Sequence, residues 1–287
     1  MIRWLICPDG EKIEKVDCLK NDGCRLGSRC ATLPYLRAAS DDRPFKGVSP
    51  SMAGNGARMI WLKATTEYAI NPMDRVWAVL GTGTHSKLGL EKHTIDVIAE
   101  ECFGDGEGTA DLLVPDEDED GKYILFDNKV WGSYKVAKSI GITMVDTPTG
   151  ETYKSGEKKG LPKTRKEPRY DPSVIDLRAE ELQLSRYAMA FEKAGFPISK
   201  IQLQVLVRDG NTAIAKARGI DFSLRIIPLN RLPDDVVTDY YATLSGAVKK
   251  AFLGETPPLC GEWERWEGRR CEGYCDVKDK CEELDAR

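Results

Sequence analysis

Apolar positions along the chain switch repeatedly between helical and strand spacing. From residue 51 to about residue 103 the spacing is helical. "NGARMIWLKATTEYAI" and "NPMDRVWAVL" each carry an apolar stripe, and Asn71 before Pro72 is a cap followed by a first-turn proline. "GTGTHSKLGLEKHTIDVIAEECF" is expected to interrupt the helix and then resume it, which puts Cys102 on a helix as a small buried residue. The period then shortens: "TADLLV" and "KYILFDNKVW" read as strands, and the acidic "PDEDEDG" between them predicts a hairpin. The run from Asp116 to Asp120 lacks the spacing of a calcium loop and reads as a solvated turn. "VIDLRAEELQLSRYAMAFEKAG" is an amphipathic helix ending near Gly195, with Leu177, Leu184, Ala188 and Phe191 on its apolar face. "KIQLQVLVRDGNTAIAKARGIDFSLRIIPL" predicts two or three more strands with a turn at Asp209-Gly210, and a last helix runs from about Pro233 to Phe252. The resulting order predicts an α/β fold with a mixed central sheet flanked by helices.

Cysteine placement divides the 287-residue chain. Cys7, Cys18, Cys24 and Cys30 form one terminal cluster, and Cys260, Cys271, Cys275 and Cys281 form another. Ten, five and five residues separate the first set; ten, three and five separate the second. The N-terminus lacks a signal-peptide pattern and no run of about 18 apolar residues occurs, so a cytoplasmic setting with reduced thiols is expected and a membrane is not. Four gathered thiolates then suit a tetrahedral metal, either zinc or an iron–sulfur cluster, which would add folding energy to small polar segments. A Pro- and Gly-containing connector near residues 41–50 places the boundaries at 1–47 for the Cys-rich N-terminal segment, 48–253 for the core and 254–287 for the Cys-rich C-terminal segment.

Net charge is −4, which does not advertise a nucleic-acid binder, but the charge is uneven. Residues 150–170 hold seven Lys or Arg against three Glu and read either as a flexible solvated loop or as a grip on a phosphate backbone. Trp263, Trp266, Arg269 and Arg270 lie inside the second cysteine cluster, suited to packing around a metal site or to stacking with single-stranded DNA.

The candidate chemistry lies in between. Asp127 and Lys129 are two apart on one predicted strand and therefore share a face. With Asp111 on the neighbouring strand, two carboxylates can converge on magnesium or manganese, which polarises a phosphoryl group, while the lysine stabilises the developing charge or helps deprotonate water. His85, on the preceding helix, can add a ligand. Gln183 and Tyr187 lie four apart on one helix face, away from the apolar stripe.

The order Gly-x-x-His, Asp, Asp-x-Lys, Gln-x-x-x-Tyr over roughly residues 80–230 resembles the RecB-like branch of the PD-(D/E)XK nucleases, which includes CRISPR adaptation nucleases and phage recombination exonucleases. The resemblance implies a restriction-endonuclease-like core and a DNA nuclease acting on ends or single strands. It also implies metal ligation by His85, Asp111, Asp127 and the Asn128 carbonyl, a catalytic Lys129, and supporting roles for Gln183 and Tyr187. "CEGYCDVKDKC" is similar to a C-terminal Cys triplet of that branch, which holds a four-iron four-sulfur cluster with one cysteine from before the core. Here the fourth ligand is either Cys260 or an N-terminal cysteine, and the paired spacings favour two local four-Cys sites. Alternative readings are a non-catalytic DNA-binding module, or a nuclease subunit of a recombination or CRISPR adaptation complex with a helicase or integrase partner.

Overall fold

The computed structural model describes residues 1–20, 23–88, 98–102 and 109–286, with 98–102, 109 and 110 described by backbone alone. In chain order the first half comprises β1 (Ile2–Ile6), β2 (Lys12–Glu14), α1 (Lys15–Cys18), α2 (Leu33–Ala39), α3 (Ala57–Thr65), β3 (Tyr68–Ile70), α4 (Val76–Leu88), β4 (Ile98–Cys102), β5 (Thr109–Pro115) and β6 (Tyr123–Trp131). Then follow α5 (Ser133–Ser139), β7 (Ile142–Thr152), β8 (Pro162–Tyr170), α6 (Arg178–Lys193), β9 (Ile198–Val207), α7 (Ala213–Ala217), β10 (Leu224–Pro228), α8 (Asp234–Phe252), α9 (Arg269–Gly273) and α10 (Lys278–Asp285).

The fold is α/β and its main sheet is mixed. Strand order is β10-β9-β6-β5-β4, with β6 and β9 parallel and every other pair antiparallel. Alternation along the strands sends Leu125, Ile201, Leu203 and Val205 to one face, where they are buried against Leu184, Ala188 and Phe191 of α6. That face includes the positions of Asp127 and Lys129, which stand opposite Leu203 and Val205 in the register. Asn71 caps the short turn Pro72–Arg75, its side chain accepting the Met73 N–H at 3.0 Å.

Several expected elements differ. α4 runs unbroken through Gly81 and Gly83 instead of stopping there. A glycine costs a helix interior only about 1 kcal/mol, and α4 lies against β6. The resumed helix expected over residues 89–97 lies outside the described residues. Cys102 belongs to strand β4, not to a helix, because pairing with Thr109 of β5 overrides the local spacing. Residues 150–170 are not one loop: 150–152 and 162–170 belong to the two-stranded ribbon β7–β8, only 153–161 forming the connection, and the ribbon's first strand begins with the β-branched and apolar "ITMV" of residues 142–145. Between β9 and β10 the chain forms α7, so that stretch supplies two strands.

The chain ends share a second core. β1 pairs in parallel with β3, and Ile2, Leu5, Met59, Leu62, Tyr68, Ile70 and Val277 are buried together. Cys18, Cys260, Cys275 and Cys281 pack at its edge. Among the described residues, no helix is long and apolar enough to cross a membrane.

Candidate functional site

The site forms where two strands separate. β5 and β6 pair from Pro115↔Tyr123 to Leu112↔Phe126, and one residue further the pairing stops, although β5 continues beside β4. In place of a backbone partner, the Asn128 N–H donates to Asp111 Oδ2 at 2.7 Å. A side chain thus occupies the space a ladder bond would fill, and the strands open around Asp111, Asp127 and Lys129. The Asn128 side chain is held from the other side, accepting from Gln204 Nε2 at 2.7 Å.

Asp127 is 4% exposed and carries opposed contacts. Its Oδ1 accepts from Gln183 Nε2 at 3.1 Å, while Lys129 Nζ lies 2.6 Å from Oδ2 and also donates to Gln183 Oε1 at 3.3 Å. Gln183 therefore fixes both members of the pair at once. The ammonium contact to Oδ2 lacks hydrogen-bond orientation, so this oxygen is one of two buried side-chain polar atoms among the described residues with no hydrogen-bond partner, Arg265 Nε being the other. Burial drives the Asp127 carboxyl pKa up, with Asp111 adding to the shift and Lys129 and His85 opposing it. Burial lowers the Lys129 pKa, but Asp127, Glu180 and Asp111 outweigh it, so the net direction is upward and the ammonium is favoured.

His85 Nδ1 lies 3.0 Å from Asp111 Oδ2, and this hydrogen bond raises the imidazole pKa against the effect of burial. Six of the seven residues expected at the site are therefore brought together in two contacting sets, His85–Asp111–Asn128 and Asp127–Lys129–Gln183. Tyr187 differs from expectation: it is part of the hydrophobic core under the sheet, not clear of the apolar stripe. Its hydroxyl bonds to Gln183, and burial raises its pKa. Helical geometry explains this, since Tyr187 directly precedes Ala188 and follows Leu184 by three, at the border of the stripe.

Two neighbours escaped the sequence reading. Glu180, buried one turn before Gln183, pairs with Lys135 at 2.6 Å and adds negative potential at Lys129. Its i−3 spacing from Gln183 was the available signal. Asp209, read only as a turn residue, accepts both the N–H and the hydroxyl of Ser133 at 2.6 Å and thereby ties the turn after β9 to the start of α5.

The cysteines gather as two sets. Cys7, Cys18, Cys24 and Cys30 line a cavity of about 100 Å³ with Arg25 and Arg29 on its wall. Cys260 sits against the start of α3, where its sulfur accepts the Met59 N–H. A Cβ on Gly56 would stand 2.5 Å from that sulfur, so the approach requires glycine. Buried Arg58 donates to Cys281 Sγ at 3.7 Å and also pairs with Asp285. Burial lowers the Arg270 pKa, opposed by the potential of Cys275, Cys260, Glu264 and Cys271. Among the described residues, however, no three His, Cys, Asp or Glu side chains converge in an arrangement ready to hold a metal, at either the cysteines or the carboxylates. Comparisons with protein-family models, with curated proteins and with solved structures returned no match.

Proposed function

We propose that the protein is a divalent-metal-dependent DNA nuclease whose reacting centre is built on Asp111, Asp127 and Lys129. The observation that carries this reading is the buried Asp127 carboxylate, which feels a second carboxylate, Asp111, and has its Oδ2 met by the Lys129 ammonium alone, at 2.6 Å. Two acids and a lysine gathered at one opening of a sheet form a set of groups that a further cation can join. The donor set fits a hard cation: Asp111, Asp127 and the Asn128 carbonyl offer oxygens, and His85 offers a nitrogen. Magnesium or manganese, when bound there, supplies a Lewis acid that polarises the scissile phosphoryl group.

The chain's own residues do the rest. Lys129, held as ammonium, places positive charge where the phosphoryl oxygens gain negative charge, which supports the electrostatic role over that of a base. Gln183 fixes the rotamers of Asp127 and Lys129 together, and the Tyr187 hydroxyl fixes Gln183 from the core. Asp111 holds the splayed strand through Asn128 and orients His85. The ribbon β7–β8 carries exposed Lys166 and Arg169 and can approach a phosphate backbone, whereas Lys163 is engaged with Glu151 at 2.9 Å.

For the two cysteine sets the same reading assigns structural metal sites, zinc or iron–sulfur. Support comes from the shared cavity at the first and from the guanidinium of Arg58 at the second, which complements the net negative charge of four metal-bound thiolates. Absorption and metal content of anaerobically purified protein distinguish the metals: a band near about 400 nm identifies iron–sulfur. The central test incubates the protein with magnesium or manganese and with linear, circular and single-stranded DNA. Cleavage that disappears in Asp127→Asn and Lys129→Met supports the reading; no cleavage of any substrate with either metal removes it.

A further inference from the structure

Beyond the reacting centre, a continuous run of exposed aromatic rings and arginines crosses three parts of the chain. Trp77 of α4 stacks under the Arg208 guanidinium at 4.0 Å. Arg208 directly follows β9, donates its N–H to the Trp131 carbonyl at 2.8 Å, and lies within the electrostatic reach of Tyr274. Tyr274 is 70% exposed and sits 5.6 Å from the Trp266 ring, which has Arg270 over it at 4.9 Å. Arg269 then reaches the Tyr134 hydroxyl on α5 at 3.3 Å. The rings of Trp77, Tyr134, Trp266 and Tyr274 all remain exposed.

Backbone strain marks the same place. Trp266 and Glu267 have φ of 53° and 58°, followed by Gly268 at 96°. Two successive non-glycine residues in the left-handed region, one of them a tryptophan, are costly, and such strain persists where the surroundings hold a side chain in position for use. Tyr274 also rims a groove of about 740 Å³ whose facing wall includes Ala78 of α4.

We propose that this aromatic–arginine belt is a stacking platform for single-stranded nucleic acid leading to the reacting centre. The inference rests on the nuclease reading for its destination, though not for its binding chemistry. Unpaired bases stack on aromatic rings without regard to sequence, and the exposed Arg208 and Arg269 beside the rings meet the phosphates, while Arg270 is held by the Gly54 and Glu264 carbonyls. A duplex keeps its base faces covered and gains little from such a surface. The belt is also close enough: Trp131 lies two residues, about 7 Å, beyond Lys129 on β6, and Trp77 precedes His85 by about 12 Å along α4.

The test uses full-length protein in chelator, so that binding is read without cleavage, with a labelled oligothymidylate of about 15 nucleotides and a duplex of equal length. Single-strand affinity is expected to exceed duplex affinity, and Tyr274→Ala, Trp77→Ala and Tyr134→Ala are expected to weaken it by about 5- to 100-fold each. Tyr274→Trp should keep wild-type affinity because it keeps a stacking face. Wild-type affinity in all three alanine variants, or duplex bound as tightly as single strand, overturns the platform. Cleavage with metal is measured on the same samples and separates the two readings. Belt-dependent binding without cleavage leaves the platform standing and removes the nuclease, while cleavage unaffected by the three variants does the reverse.

Discussion

The β5–β6 hairpin buries a carboxylate at each end, and the two could hardly differ more. At the tip, Asp116 is 5% exposed, accepts from the Ser199 hydroxyl at 2.6 Å and the Asp118 N–H at 3.0 Å, and meets Lys200 at 3.1 Å. The Ser199 hydrogen bond leads a set of contacts that lower its pKa. At the open end, Asp127 is equally hidden, yet burial raises its pKa and one oxygen has no hydrogen bond. Burial alone thus does not tell a structural acid from a functional one. The contrast lies in satisfaction: Asp116 has every interaction an anchor needs, and Asp127 is left with capacity unused.

Substitutions should separate the two ends. Asp127→Asn keeps the bond from Gln183 but leaves the Lys129 ammonium without its carboxylate, so it should abolish cleavage, by about a thousand-fold or more, while costing less stability than Lys129→Met, because Lys129 is the more exposed member of the pair. An Asp127→Asn variant less stable than Lys129→Met would place Asp127 in the same class as Asp116. Next in size, Lys129→Met leaves Asp127 buried without its cation and should lower stability by about 3–5 kcal/mol in urea denaturation. Adding Asp127→Asn to that variant should restore most of the loss, and independent effects in the double-mutant cycle would break the coupling drawn here.

At the tip the expected effect is smaller and depends on pH. The folded pKa of Asp116 lies below its ordinary 3.8, so its contribution is present above that value and is lost as pH falls through the lower folded one. Asp116→Asn should therefore leave cleavage unchanged, lower the melting temperature at neutral pH and flatten the acid side of the stability curve. Smallest of all, Glu119→Gln removes only an exposed pair with Lys122 and should shift neither melting nor cleavage measurably.

Much of this was legible in the sequence, for reasons that differ by region. Strong periods and caps carried the hairpin, α6, α8 and the Asn71 turn, because local pattern and tertiary need agree there. The juxtaposition of Asp127 with Lys129 followed from strand alternation alone. What was not legible depended on partners distant in sequence. Residues 150–170 look like a charged loop until the strand at 142–152 is laid beside them, and Cys102 looks helical until β5 pairs with β4. Asp116 was read as one more acid of a solvated turn, since nothing nearby announces Ser199 and Lys200 waiting on β9. The opening of β5 from β6 was equally hidden: it appears only when the Asp111 side chain takes the place of a backbone bond.

The second core, in which Ile2 and Leu5 pack with Val277, sets an order of events during folding. Strand β1 is among the last elements to be fully covered, since Val277 lies about 270 residues downstream of it. Closing so long a loop is slow compared with forming α6 or the hairpin. Until then β1 and the Cys18 thiol stand open to solvent.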